Sequence, residues 1–162
     1  MAGEEPAQLI ERFYAAFARR DGDEMAACYA PDAHFSDPVF TDLRSDEPGD
    51  MWRMLTSRAT DLEIELVDHR GSGDSGSARW LAHYTFTQTG RHVDNDVRAR
   101  FRFRQGLIVE HRDEFGFHRW ARQALGTSGL LLGWTPIVQG AVRRKARAGL
   151  DEFRAGDAGP AS

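Results

Sequence analysis

The chain has 162 residues, 41% of them hydrophobic and 28% charged, with a net charge of −4. That length suits one domain with a sizeable core, and the acidic balance gives no reason to expect nucleic acid as a partner. A single cysteine, Cys28, excludes an intramolecular disulfide framework and a cysteine-based zinc site. Its neighbours Met25, Ala26 and Tyr29 make it read as buried apolar filler. Residues 1–6 lack an apolar signal core, and no stretch is long and apolar enough to span a bilayer, so a cytoplasmic location is expected.

Pro6 suits the first position of a helix, and Leu9, Ile10, Phe13, Tyr14 and Phe17 recur at helical spacing up to Arg20. Asp21, Gly22 and Asp23 break that helix, and Asp23 can cap a short second one carrying Met25, Cys28 and Tyr29. Pro31 and Asp32 end it, and residues 33–39 form the first predicted strand. A charged loop, 42–50, leads to a third helix opened by Gly49 and Asp50 and carrying Met51, Trp52, Met54 and Leu55.

From Leu62 the hydrophobic period changes to 2. Leu62, Ile64 and Leu66 alternate with Glu63 and Glu65. After a turn at 71–76, Ala78, Trp80, Ala82, Tyr84 and Phe86 share one face. After a second turn at 88–91, Asn95, Val97, Ala99, Phe101 and Phe103 alternate with Asp96 and the arginines 98, 100, 102 and 104. Gln105 and Gly106 turn the chain into a last strand over 107–117. Helices followed by a meander predict an α+β fold: three N-terminal helices packed on a strongly curved antiparallel sheet, leaving a conical hollow between the layers. Residues 117–125 read as a further helix stopped at Gly126, and 142–153 as a basic amphipathic helix with Arg143, Arg144, Lys145 and Arg147. The expected organisation is a domain over 1–125, a helical extension over 126–154 and a disordered tail over 155–162. The extension is either a lid over the hollow or packing against a dimer partner. Its apolar run, 129–138, is too short to favour a membrane contact.

Two anomalies point to chemistry. Asp37 shares a strand face with Phe35, and a carboxylate there is costly unless paired, hydrated or used. On the last strand Val109, His111, Asp113, Phe115 and Phe117 share a face, opposite the largely charged set Ile108, Glu110, Arg112 and Glu114. The first set is therefore assigned inward. The predicted lining is aromatic with few polar groups: Tyr14, Trp52, Trp80, Tyr84, Asn95, Phe101 and Phe115 around Asp37, Asp113 and His111. This is the makeup of a small-molecule pocket. Desolvation would raise a carboxyl pKa toward neutrality and suit Asp37 to act as base, with Asp113 as acid or as the group orienting His111. The structural alternatives are a turn cap at Asp37, a satisfied core histidine at 111, and a salt bridge or a bond to the Trp120 ring at Asp113. No cofactor is required by this set. His34, His69, His83 and His92 fall on outward or loop positions and show no metal-binding spacing.

The segments 10–17 (Ile10, Phe13, Tyr14, Phe17), 30–38 (Pro31, Asp32, Phe35, Asp37, Pro38) and 101–110 resemble the NTF2-like superfamily, in its SnoaL-like and ketosteroid-isomerase-like branch. The likeness runs from about Leu9 to Trp120. It implies the cone fold, a homodimer and a small hydrophobic ligand. It also leaves open an isomerase, an epoxide hydrolase, a cyclase, or a non-catalytic small-molecule-binding or dimerisation module. Asp37 matches the isomerase's general base in its Asp-Pro context, but the oxyanion tyrosine falls on Phe13 and the oxyanion aspartate on Ala99. The segment from Arg112 to Phe115 is similar to the last-strand pattern of limonene epoxide hydrolases, whose other acid and arginine fall near Ala82 and Trp80. The late-strand aspartate of SnoaL-type cyclases corresponds best to Asp113.

Overall fold

The computed structural model describes residues 4–127 and 135–157. Helices α1 (Pro6–Ala18) and α2 (Gly22–Ala27) lead into strand β1 (Tyr29–Ser36), short β2 (Leu43–Arg44) and helix α3 (Glu47–Arg58). Strands β3 (Glu63–Ser72), β4 (Ser75–Phe86), β5 (Arg91–Arg104) and β6 (Leu107–Glu114) follow, then helices α4 (Phe117–Leu125) and α5 (Pro136–Asp157). The six strands form one open sheet in the order β2-β1-β6-β5-β4-β3. Every adjacent pair is antiparallel except β1 and β6, which run parallel. The sheet is thus mixed at one edge rather than a pure meander.

Several boundaries differ from the sequence expectation. Strand β1 starts at Tyr29 and ends at Ser36, which puts Asp37 just past it, in a turn. Pro31 does not stop a helix. It sits inside β1 where the register with β6 shifts between Tyr29 and His34, so its missing N–H leaves no ladder position unfilled. Asp21, not Asp23, caps α2, accepting from the Glu24 N–H at 3.1 Å. Helix α3 begins at Glu47, with Pro48 in its first turn where a missing N–H costs nothing. A second bulge, between Arg102 and Phe103, pairs Phe103 with Ile108 and turns Ile108 into the core, correcting its assignment to the outer face. The β5–β6 turn has positive φ at both Gln105 and Gly106, the twist a two-residue hairpin requires.

The core lies between the helices and the inner sheet face. Leu9, Ile10 and Phe13 of α1, Met51 and Trp52 of α3, Phe35 of β1 and Phe101 of β5 meet there, all buried. Gly22 lets α2 touch α3: a Cβ at this position would stand 2.6 Å from Thr56 Oγ1 and 2.7 Å from Arg53 Cα. Gly22→Ala is therefore expected to destabilise the chain by about 1–3 kcal/mol, read as a lowered urea midpoint with unchanged slope.

Helix α5 is longer than the 142–153 segment expected and lies on its own chain. Leu150 is fully buried in the main core. Arg154 reaches Asp46 at 2.8 Å and Asp50 at 3.0 Å, Arg147 pairs with Glu47, and Arg143 Nε donates to the Pro38 carbonyl at 2.9 Å. These cations meet the start of α3 and the turn that follows β1. Part of the predicted apolar run, 128–134, and the tail beyond 157 lie outside the described residues. Among the described residues no helix is long and apolar enough to cross a membrane.

Candidate functional site

The inner face of β6 carries His111 and Asp113, 2% and 3% exposed, as its parity predicts. His111 Nε2 lies 2.9 Å from Asp113 Oδ1, and His111 Nδ1 lies 2.6 Å from the Tyr29 hydroxyl. Trp52 Nε1 donates to that hydroxyl at 2.8 Å. Indole N–H can only donate, and an ionised carboxylate can only accept. One arrangement then satisfies every group. Trp52 donates to Tyr29, Tyr29 donates to Nδ1 of a neutral His111, and His111 donates from Nε2 to Asp113. An imidazolium at 111 would bring a second donor onto the Tyr29 oxygen and leave the phenolic proton without a partner. Phe13, Phe35 and Phe101 pack on the imidazole with ring centroids 5.6, 4.9 and 4.3 Å away. The chain of four is therefore dry and rigid.

Asp37 occupies the turn after β1. Its Oδ1 accepts from the N–H groups of Val39 at 2.7 Å and Phe40 at 2.5 Å, and its own N–H donates to the Phe40 carbonyl. This is the turn-cap geometry set out above as the structural alternative. Both side-chain bonds end on one oxygen, so the turn uses only half of the carboxyl group. The residue as a whole is half-buried, yet the carboxyl group feels nearly full desolvation. That burial pushes its pKa up to about 7. The charge of Asp113 adds to the rise, while the Phe40 and Val39 N–H groups and the Arg143 guanidinium oppose it. Asp37 and Asp113 therefore lie within electrostatic reach of each other.

The remaining predicted residues divide into four kinds. Trp52 and Phe101 are core, the first engaged by Tyr29 and the second tilted against the His111 ring. Tyr84 accepts from Trp120 Nε1 at 2.8 Å, so the indole expected as a partner for Asp113 is bound elsewhere. Asn95 and Phe115 are half-buried. Tyr14 and Trp80 stand apart: the Tyr14 hydroxyl and Trp80 Nε1 are buried and have no hydrogen-bond partner among the described residues, on rings 5.8 Å apart. Burial pushes the Tyr14 phenol well up, and Asp113's charge pushes it further, so it stays a donor. Two such donors on neighbouring rings, one of them within reach of Asp113's charge, are the expected mark of a polar ligand atom or water.

Sequence reasoning missed Tyr29, which it placed on a helix. Starting the first strand at 29 would have put Tyr29 in phase with Ala33 and Phe35. It also missed a cluster on the opposite face of the sheet. His34 and His69 each meet a single carboxylate, of Asp42 and Glu11, but His83 and His92 converge on Asp94. Along that outer face the arginine row is exposed, with Arg102 paired to Glu110 at 3.4 Å. Beside it runs a groove of about 700 Å³ lined in part by Arg100, Arg102 and Arg112.

Helices laid over one face of a curved, unclosed sheet, with His111 and Asp113 buried on its inner face, define an NTF2-like α+β cone. Within that class the chain belongs to the SnoaL-like domain family, whose model matches residues 10–111. Asp113 lies just beyond the matched segment. Among solved structures the chain is similar to a hypothetical protein of ketosteroid isomerase-like fold from Catenulispora acidiphila, in complex with trimethylamine. The two are 14% identical, with TM-score 0.66 over 81% of this chain and 99% of that one. It is also similar to IdmH of Streptomyces antibioticus, a candidate polyketide cyclase: 25% identity, TM-score 0.62, 76% of this chain and all of that one (100%). A third likeness is to a limonene-epoxide-hydrolase-like epoxide hydrolase of M. tuberculosis, at 19% identity and TM-score 0.59 over 81% of this chain and 92% of that one. No curated protein matches the chain at significance.

Proposed function

We propose that this protein is an acid–base enzyme acting on a small hydrophobic molecule with an enolisable carbonyl, in a cyclisation or isomerisation that needs only proton transfers. The observation that carries this reading is the pairing of two unlike carboxyl groups. Asp37 titrates near neutrality, where a general base works best, and Asp113 is fixed by His111 within reach of its charge. Asp37, ionised, takes a proton from the carbon beside the carbonyl, and Asp113 with His111 forms the partner acid–base pair. The Tyr14 hydroxyl, buried and with no partner among the described residues, donates to the oxygen on which negative charge develops. The candidate cyclase at 25% identity supports ketone substrates of polyketide type. The epoxide hydrolase likeness, at 19% identity, supports the fold alone. By the same family resemblance we assign the arginine row of the outer sheet face, Arg98 to Arg104, to homodimer packing.

A second reading is favoured by the two backbone bonds on Asp37: a non-catalytic binding module in which this carboxylate only holds the turn. Deuterium exchange separates the two. A panel of hydrophobic ketones is incubated with the protein in D2O and followed by proton NMR. The enzyme reading expects catalysed loss of the proton beside the carbonyl, falling about 100-fold or more in Asp113→Asn. Saturable ligand binding without exchange, in wild type and variant alike, would establish the binding module instead.

A further inference from the structure

We propose that His83, His92 and Asp94 form a surface site for a borderline divalent transition metal, with Zn2+ the ion their donors suit. The register of the β4–β5 hairpin creates the cluster. His83 lies directly opposite Asp94, and His92 lies opposite Thr85, one outward position further along. All three project from the outer face, since Ala82, Tyr84 and Val93 point inward. One ligand atom from each residue falls within 4.8 Å of the others. His83 Nδ1 is 2.6 Å and His92 Nε2 is 2.7 Å from the same oxygen, Asp94 Oδ1. Two imidazoles aimed at one carboxylate oxygen already have the convergence an ion needs. Opening each contact by several tenths of an ångström would admit a cation at bonds of about 2.0–2.2 Å.

The donors decide the class of ion. Two imidazole nitrogens and one carboxylate oxygen suit Zn2+, with water completing the shell, whereas Mg2+ and Ca2+ favour oxygen ligands. The support is rigid. The Asp94 N–H donates to Gln123 Oε1 at 2.7 Å, and Arg91 Nε donates to the Gln123 carbonyl at 2.8 Å, tying the hairpin to α4. Asp61 adds negative charge beside His92 while bonding Thr85 at 2.6 Å. The site stands on the side of the sheet opposite Asp113. Its role is a clip across the hairpin, independent of the proton transfers inside the cone.

The test is calorimetric titration of the untagged full chain with ZnCl2, with MgCl2 as control, alongside thermal melts. Expected are one Zn2+ bound per chain, a raised Tm, and no response to Mg2+. His92→Ala and Asp94→Asn should each weaken Zn2+ binding by about tenfold or more while leaving the circular dichroism spectrum unchanged, because both side chains are exposed. Absence of saturable Zn2+ binding overturns the assignment. So does unchanged affinity in either variant, which would move the ion to another surface histidine.

Discussion

Replacing Asp37 by Asn is expected to stabilise the protein at pH 8, leave it unchanged at pH 4 and abolish its activity. An unfolded aspartate titrates near 3.9, and the folded Asp37 near 7. Between those values the folded chain keeps a proton that the unfolded chain has released. Stability therefore falls as pH rises, by about 1.4 kcal/mol per unit. Below about pH 4 both states are protonated and there is no penalty. Above about pH 7 both are ionised and the penalty is full, roughly 4 kcal/mol at most. Asparagine keeps a carbonyl oxygen for the N–H groups of Val39 and Phe40, so the turn survives while the desolvated charge is removed. A gain of about 2–4 kcal/mol at pH 8 should raise Tm by roughly 5–15 °C. Melts of wild type and variant across pH 4–8 check the sign. A variant less stable than wild type at pH 8 would mean that the charged cap contributes more to the turn than its desolvation costs. The wild-type rate of proton exchange should rise with pH to a plateau, with its midpoint near 7.

Tyr29→Phe should be among the most damaging isosteric changes in the molecule. It removes one oxygen and strands two buried groups, the Trp52 indole N–H and His111 Nδ1. Each unsatisfied group costs about 1–3 kcal/mol, so a loss of roughly 2–4 kcal/mol and a Tm lowered by roughly 10 °C are expected. The packing of Phe13 and His111 around the ring is unchanged in shape, which assigns the loss to hydrogen bonding rather than to a cavity. Tyr29 is a positioning residue in this scheme. With its hydroxyl gone, the His111 ring keeps its Nε2 bond to Asp113 but loses the second of the two bonds that orient it, and exchange catalysed through Asp113 should slow with little change in substrate KM. A loss of stability below about 0.5 kcal/mol would sink the four-residue chain. Equal exchange rates in Tyr29→Phe and wild type, at a temperature where both are folded, would remove its link to Asp113.

Much of the architecture is legible from local pattern. The stripe from Leu9 to Phe17, the alternation from Asn95 to Arg104 and the inward parity of His111 and Asp113 each follow from one period, 3.6 or 2, set by residues a few positions apart. Asp37 stood out because Pro38 and Phe35 make a carboxylate conspicuous there. What local pattern could not give were events at which the period breaks. The shift between Tyr29 and His34 placed Pro31 inside a strand, and the bulge at Arg102 and Phe103 turned Ile108 inward. A bulge changes parity by one residue, and nothing in the hydrophobic alternation marks it beforehand.

The same limit divides the sites. Residue identity and period were enough to nominate Asp37, His111 and Asp113 and to place the last two on a buried face. Their partners were decided by pairings between segments far apart in the chain. The parallel alignment of β1 with β6 brings Tyr29 to His111, 82 positions away, and α3 delivers Trp52 to the same hydroxyl. The antiparallel register of β4 with β5 gathers His83, His92 and Asp94, whose spacing along the chain shows no metal motif. Periodicity is a property of neighbours and is written in the sequence directly. Register is chosen by which long-range alignment buries the most apolar surface, and only the folded sheet makes that choice.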